Sequence, residues 1–285
     1  MIKETKQRKT LSPKLDIVFQ ALFGEQGSER ITASLLQAIL DEEITEIDLS
    51  KNPILRRDMP NDKLGVLDII AKINNKENCD IELQIVEQQD IIERILIYWS
   101  KLYTRGIKKS EEYEVLEKTI VILLSDKKIQ SLKELEEYHT EWKIIEAKNR
   151  KKILTDKFEI RIIELEKVKE SDKEQEDKLL DWIYFLKNPE SERVKGKMEE
   201  NGAIKEAKEK LDKISEDEKM QQLAWWREKA IYEENTANKR AKREGMREGI
   251  KLEKLETAKK MKNKNMPIEL ILEITELTKE EIEIL

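Results

Sequence analysis

Residues 66–85 read VLDIIAKINNKENCDIELQI, two isoleucine-rich runs on either side of the turn-forming NNKEN. Short alternating apolar runs broken by asparagine specify a β-hairpin. Centring the turn on Lys76 makes the numbers of opposed residues sum to about 152. Asp68 then faces Gln84, Ile70 faces Glu82 and Lys72 faces Asp80. In this register Asp68, Lys72, Asp80, Glu82 and Gln84 share one face. The other holds Leu67, Ile69, Ala71, Ile73, Cys79, Ile81, Leu83 and Ile85 without a polar interruption. A slip of one residue would mix the two sets, because the side-chain period of a strand is two.

Opposed side chains in such a hairpin have Cβ atoms about 5 Å apart, which brings the carboxylates of Asp68 and Glu82 near enough to share a cation. Without one they repel each other, and a carboxylate set into an apolar strand is costly or protonated. Oxygen ligands completed by water and phosphate oxygens suit Mg²⁺ or Mn²⁺. Such an ion acidifies bound water and stabilises charge developing at phosphorus, so the reaction class implied is phosphodiester hydrolysis. Gln84 can orient the attacking water through its amide but lacks the charge of a lysine, and Lys72, on the same face, is a source of that charge. The same alternation also describes a solvated sheet face lined by carboxylates.

Upstream of the hairpin, Ser12 and Pro13 read as N-cap and first position of a helix through KLDIVFQALF that stops at Gly24. A second helix is predicted from Ser28 to Leu40, and residues 54–59 read as a further strand. Downstream, helical spacing returns through Ile92, Ile95, Trp99 and Leu102, while TIVILLS at 119–125 and FEIRIIEL at 158–165 are strands. The order predicts an α/β fold, a mixed sheet flanked by helices. Beyond about residue 170 the pattern is all helical: LLDWIYFL at 179–186, a long charged helix over 216–263 and a terminal pair of short helices, the last opened by a Thr278–Glu281 capping box. We therefore expect a core over 1–170, a helical extension over 171–235 and a regulatory or association tail over 236–285.

Composition narrows the chemistry. Of 285 residues 41% are charged, yet the formal net charge is only −6, so contact with a nucleic acid must be local. One cysteine, Cys79, excludes an intrachain disulfide framework and suits a reducing cytoplasm, and one histidine, His139, argues against a histidine-rich metal site or a Ser-His-Asp triad. No apolar run reaches the roughly 18 residues of a membrane span, and no secretory leader is legible.

A strand Asp, a hairpin and a following strand bearing Glu-x-Gln resemble the PD-(D/E)XK nuclease core, with Gln84 where a lysine is usual. The wider pattern is more specific. LSPKLDIVFQALFG at 11–24, NDKLGVLDIIAK at 61–72, IELQI at 81–85, ERILIYWSKLYTRGIKKSEEY at 93–113, TIVILLSD, DWIYFLKN, the REG repeats and the MPIELILEITELTKEEIEIL tail together resemble the Rpn-type recombination-promoting nuclease and transposase family of bacteria over almost the whole chain. That resemblance implies a restriction-endonuclease-like fold and a DNA endonuclease assisted by Mg²⁺, Mn²⁺ or Ca²⁺, connected with DNA recombination, mobile elements or defence. It carries the reaction centre to Asp68, Glu82 and Gln84, with Asp68 and Glu82 holding the metal. Gln20 departs from it, standing where many relatives have a lysine.

Further residues join the expected site. Asp16, in the first helix, could reach the metal, although a carboxylate near a helix N-terminus is favourable on its own. Asp80 and Lys72 are accessory by their shared face, and Lys63 is flagged by the resemblance. Arg94, Tyr98, Lys101 and Arg105 follow one another at helical spacing and could touch DNA phosphates. From Lys239 to Lys262 ten basic residues outnumber four acidic ones. Glu280, Glu281 and Glu283 would repel phosphates, so the tail predicts association with a partner or a second copy, as in a homodimer, rather than base reading. Two alternatives stay open: a catalytically weak or inactive relative that binds DNA or a protein, and a coiled-coil scaffold, for which Gly245 and Gly249 interrupt the heptads.

Overall fold

The computed structural model describes residues 10–49, 69–169, 171–172 and 176–285. Among these, six strands form one sheet in the order β1-β2-β3-β4-β6-β5: β1 Ile47–Asp48, β2 Ile69–Ile73, β3 Glu77–Gln84, β4 Lys118–Ser125, β5 His139–Trp142 and β6 Phe158–Glu164. The β3–β4 and β4–β6 pairs are parallel and the others antiparallel, so the sheet is mixed as expected. A parallel neighbour requires a crossover, and the helix α3, Ile91–Thr104, supplies it between β3 and β4. Seven of the eight residues of β4 are buried because both faces of the sheet are covered.

On one face α3 lays Ile91 and Ile95 against Val121 and Leu123 of β4 and Ile160 and Ile162 of β6. The other face meets helical layers that include α1 (Asp16–Phe19), α2 (Glu29–Leu40) and α4 (Lys178–Lys187). Phe19 and Phe23 lie 4.9 Å apart and Phe23 stands edge-on to Trp182 at 5.7 Å. All three are fully buried, and each phenylalanine contributes about 1.5–3 kcal/mol of transfer free energy. Gly24 lets the chain close on the sheet: a Cβ there would lie 3.2 Å from the Ile69 side chain.

Three expectations are corrected. The first helix begins not at Ser12 and Pro13 but after Leu15, and from Gln20 to Gly24 it widens into a π-helical turn. The hairpin register sums to 150, not about 152, since Ile73 pairs with Glu77 and Ile70 with Asp80. Lys72 therefore faces Asn78 rather than Asp80, and Ile70 does not face Glu82. A shift of two preserves which side chains share a face. The cause is the turn, where Asn74 and Asn75 both adopt positive φ, 50° and 56°, and centre the loop on Asn75. Third, β1 and β5 join the sheet where the sequence reading placed no strand. The strand expected at 54–59 and the Asp68–Gln84 pairing lie outside the described residues.

By packing, the chain forms two compact units, Met1–Glu228 and Lys229–Leu285. The first includes α5 (Glu192–Glu200) and α6 (Gly202–Glu216). The long helix α7 runs Glu218–Asn263, and α8 (Ile268–Thr275) and α9 (Lys279–Glu283) follow. In the second unit Ala258 and Met261 close a small core with Ile271, Leu277 and Ile282. The Thr278–Glu281 capping box forms as expected, with both reciprocal bonds present.

Candidate active site

Strand β3 sits in the middle of the sheet, and its alternation turns Asn78, Asp80, Glu82 and Gln84 toward the face covered by α3. Asp80 and Glu82 are in register with Val121 and Leu123 of β4. Asp80 is fully buried, Glu82 is 7% exposed, and Gln84 is half-buried at the strand end. Two carboxylates two residues apart are thus held on one side of a buried strand, a placement that hydrophobic packing alone does not favour.

From α3, Tyr98 and Leu102 pack on Ile70, directly across the hairpin from Asp80. Tyr98 is 2% exposed, and its hydroxyl accepts from Arg94 Nη2 at 2.7 Å and Nε at 3.3 Å. The guanidinium also donates to Gln88 Oε1. Burial pushes the Tyr98 phenol above its ordinary value, the Arg94 hydrogen bond opposes this, and the charges of Glu82 and Asp80 push it further up. The phenol therefore stays protonated at neutral pH, and the four groups share one electrostatic environment. Lys101 is half-buried farther along the helix, and Arg105 is exposed at its C-terminal end.

At the strand ends, the Gln84 amide donates to Val86 O at 2.6 Å, and its main-chain oxygen accepts from Asp126 N at 2.8 Å. Asp126 Oδ1 lies 2.5 Å from Lys14 Nζ. Lys14 and Asp126 were not among the residues singled out from sequence. They are 112 positions apart, and nothing local in the sequence announces the pair.

The other expected residues distribute as follows. Lys72 Nζ is 2.9 Å from Glu117 Oε1, and Asn78 donates to the same carboxylate at 3.2 Å. Asp16 is paired at 2.7 Å with Arg227 Nε of α7. Asp68 and Lys63 lie outside the described residues. On the opposite sheet face Lys118 stands 3.3 Å from Glu159 and 3.4 Å from Glu77, beside buried Cys79, whose thiol burial pushes far up and makes unreactive.

Among the described residues no three His, Cys, Asp or Glu side chains are grouped to hold a metal ion. The donor chemistry of the buried pair Asp80 and Glu82 nevertheless fits a hard divalent cation, which accepts carboxylate oxygens and completes its shell with water. Among the described residues no helix is long and apolar enough to cross a membrane.

A family model described as "PD-(D/E)XK nuclease family transposase" matches residues 13–241, a span that includes the whole sheet, α3 and the α4 to α6 layer. No curated protein and no solved structure matches the chain. PD-(D/E)XK nucleases generally use divalent metals and act on DNA. The mixed sheet, its flanking helices and a match over most of the sequence agree: the fold is restriction-endonuclease-like, and the chain belongs to the PD-(D/E)XK nuclease family transposases.

Proposed function

We propose that the protein is a divalent-cation-dependent endonuclease that hydrolyses phosphodiester bonds in DNA, acting in recombination, mobile elements or defence within a reducing cytoplasm. The observation that carries this reading is the pair of buried carboxylates on β3, Asp80 and Glu82, facing the Arg94–Tyr98 couple of α3. Asp68 is the natural partner of Glu82 in holding the ion: it precedes Ile69 in the chain, and Ile69 pairs with Ile81, the residue before Glu82.

When bound, Mg²⁺ or Mn²⁺ would acidify water and neutralise charge at phosphorus, and Ca²⁺ would fill the same oxygen shell with looser geometry. Glu82 and Asp68 would hold the ion, with Asp80 as an accessory carboxylate. Gln84 orients the attacking water once its amide leaves Val86 O. Water attacks phosphorus and gives up a proton to solvent, the bond to the leaving oxygen breaks, and that oxygen takes up a proton from solvent. Arg94, held by Tyr98, places a guanidinium where a phosphate oxygen gains charge, and Lys101 and Arg105 extend the polar track along the helix. Lys63 is the accessory cation of this reading, whereas Lys72 is engaged by Glu117 and Asp16 is an outlying carboxylate. Double-strand cutting would call for two copies, with the tail as their contact.

The test is nicking of supercoiled plasmid in Mg²⁺, Mn²⁺ and Ca²⁺. Wild type cuts and loses activity on chelation, whereas Asp68→Ala and Glu82→Ala are inactive. Undiminished cutting by Glu82→Ala would remove the basis of the proposal. A second reading, a weak or inactive relative that binds DNA or a protein, is favoured by the engagement of Gln84 with Val86 O and of Lys72 with Glu117. It predicts metal-independent binding without nicking.

A further inference from the structure

Between β5 and β6 the chain leaves the sheet as a narrow two-stranded arm. Residues 141–154 are exposed without a break. The arm is nonetheless ordered by its own ladder: Leu154 N donates to Ile144 O and Glu146 N to Lys152 O, each at 2.9 Å, and Ile145 bridges Ile153. At the tip Lys152 N donates to Asn149 O at 2.9 Å, and the Glu146 carboxylate accepts from Asn149 N.

Over residues 143–154 the arm carries Lys143, Lys148, Arg150, Lys151 and Lys152 against the single carboxylate of Glu146, a local +4 on a chain whose net charge is −6. Lys143 pairs with Glu141. Among the described residues, Lys148, Arg150, Lys151 and Lys152 make no ion pair. Four cations within five positions repel one another inside a screening length of about 8–10 Å, and no packing within the arm requires them. One or two lysines would suffice to keep an edge strand from pairing with another chain. A fully exposed, ordered, like-charged ribbon instead complements a polyanion.

A duplex presents one phosphate charge about every 1.7 Å of axis, and its major groove admits a two-stranded β-ribbon. The arm emerges beyond Trp142, which is level with Ile160, Val121 and Asp80 across β6, β4 and β3. Strand β5 lies three strands from β3, about 14 Å at the usual spacing. The tip at Arg150 is eight residues past Trp142, up to about 26 Å farther along the strand direction, so its cations lie up to about 30 Å from Asp80, within one helical turn of DNA, about 34 Å. We propose that the 143–154 arm grips the phosphate backbone of duplex DNA flanking the position of cleavage, supplying affinity and register without reading bases. The proposal rests on the DNA substrate of the preceding section.

The test uses the full chain with Glu82→Gln, so that the probe is not cut, and a fluorescein-labelled duplex of random sequence followed by anisotropy from about 50 to 200 mM salt. Replacing Lys148, Arg150, Lys151 and Lys152 together by serine should weaken binding at least about tenfold and lower the slope of log K against log salt by about 3.6, the value for loss of four phosphate contacts. Replacing the same four by the alternative cation, Lys by Arg and Arg150→Lys, should preserve both. A serine variant with wild-type melting temperature, affinity and slope would overturn the proposal, as would a parent that does not bind the duplex. Plasmid nicking by the otherwise wild-type chain reads the nuclease assignment separately: arm-dependent binding without nicking keeps the arm and removes the nuclease, and nicking with arm-independent binding does the reverse.

Discussion

Arg94 Nη2 donates to the Tyr98 hydroxyl at 2.7 Å, so that one turn of α3 fixes a guanidinium over a buried phenol beside two buried carboxylates. Hydrogen bonds to a charged group contribute about 1.5–3 kcal/mol. Tyr98→Phe keeps the ring against Ile70 and Leu102 and removes the oxygen that positions Arg94. We expect cleavage to fall about tenfold in kcat, matching roughly 1.4 kcal/mol, with KM little changed. Steady-state kinetics on a defined duplex decides it, and an unchanged kcat would make the pair merely structural.

Glu82 yields a prediction that does not depend on turnover. A ligand at a hundredfold excess over its Kd stabilises the native state by about 2.7 kcal/mol, provided it binds only that state. Mn²⁺ should therefore raise the melting temperature of wild type in the absence of DNA. Glu82→Gln, which replaces a 7% exposed carboxylate by a neutral isostere, should melt no lower than wild type without metal and should lose the Mn²⁺ response. An equal response in both proteins would take Glu82 out of the metal site.

Lys72 shows what the corrected register changes. Facing Asn78 instead of Asp80, it reaches Glu117 at 2.9 Å with both side chains about one-third exposed. An ion pair at that exposure is typically worth about 0.2–1 kcal/mol. Lys72→Ala and Glu117→Gln should each lower stability within that range and leave nicking within about threefold of wild type, a rate effect under about 0.7 kcal/mol. A folded but inactive Lys72→Ala protein would instead assign the lysine to the chemistry.

The strands that flank the candidate site were legible because β-branched runs such as TIVILLS and FEIRIIEL have few alternatives in a mixed fold. The face of Glu82 was legible for the same reason, as parity survives a shift of two. The register itself was misplaced by weighing the length of NNKEN over its chemistry: asparagine tolerates positive φ, and the Asn74–Asn75 pair marks the turn centre. Strand β5 escaped because HTEW is short, polar and half exposed at a sheet edge. The partners of Asp16, Lys72 and Lys14, namely Arg227, Glu117 and Asp126, are 211, 45 and 112 positions away, and ion pairs of that separation leave no periodic trace.

His139, on β5, gives a prediction in pH. Its Nε2 is buried with no hydrogen-bond partner among the described residues. Burial lowers the imidazole below its ordinary 6.5, the charge of Arg161 lowers it further, and Asp177 and Glu141 pull the other way. Between that depressed value and 6.5 the unfolded chain binds more protons than the folded one, so stability rises with pH there and is lost as pH falls through the window. Melting temperatures from about pH 8 to about pH 5, bracketing the ordinary histidine value, should fall more steeply for wild type than for His139→Gln. Both proteins share the acid response of the carboxylates, so the difference between the two curves isolates the imidazole, and superimposable curves would show that its burial is not coupled to folding.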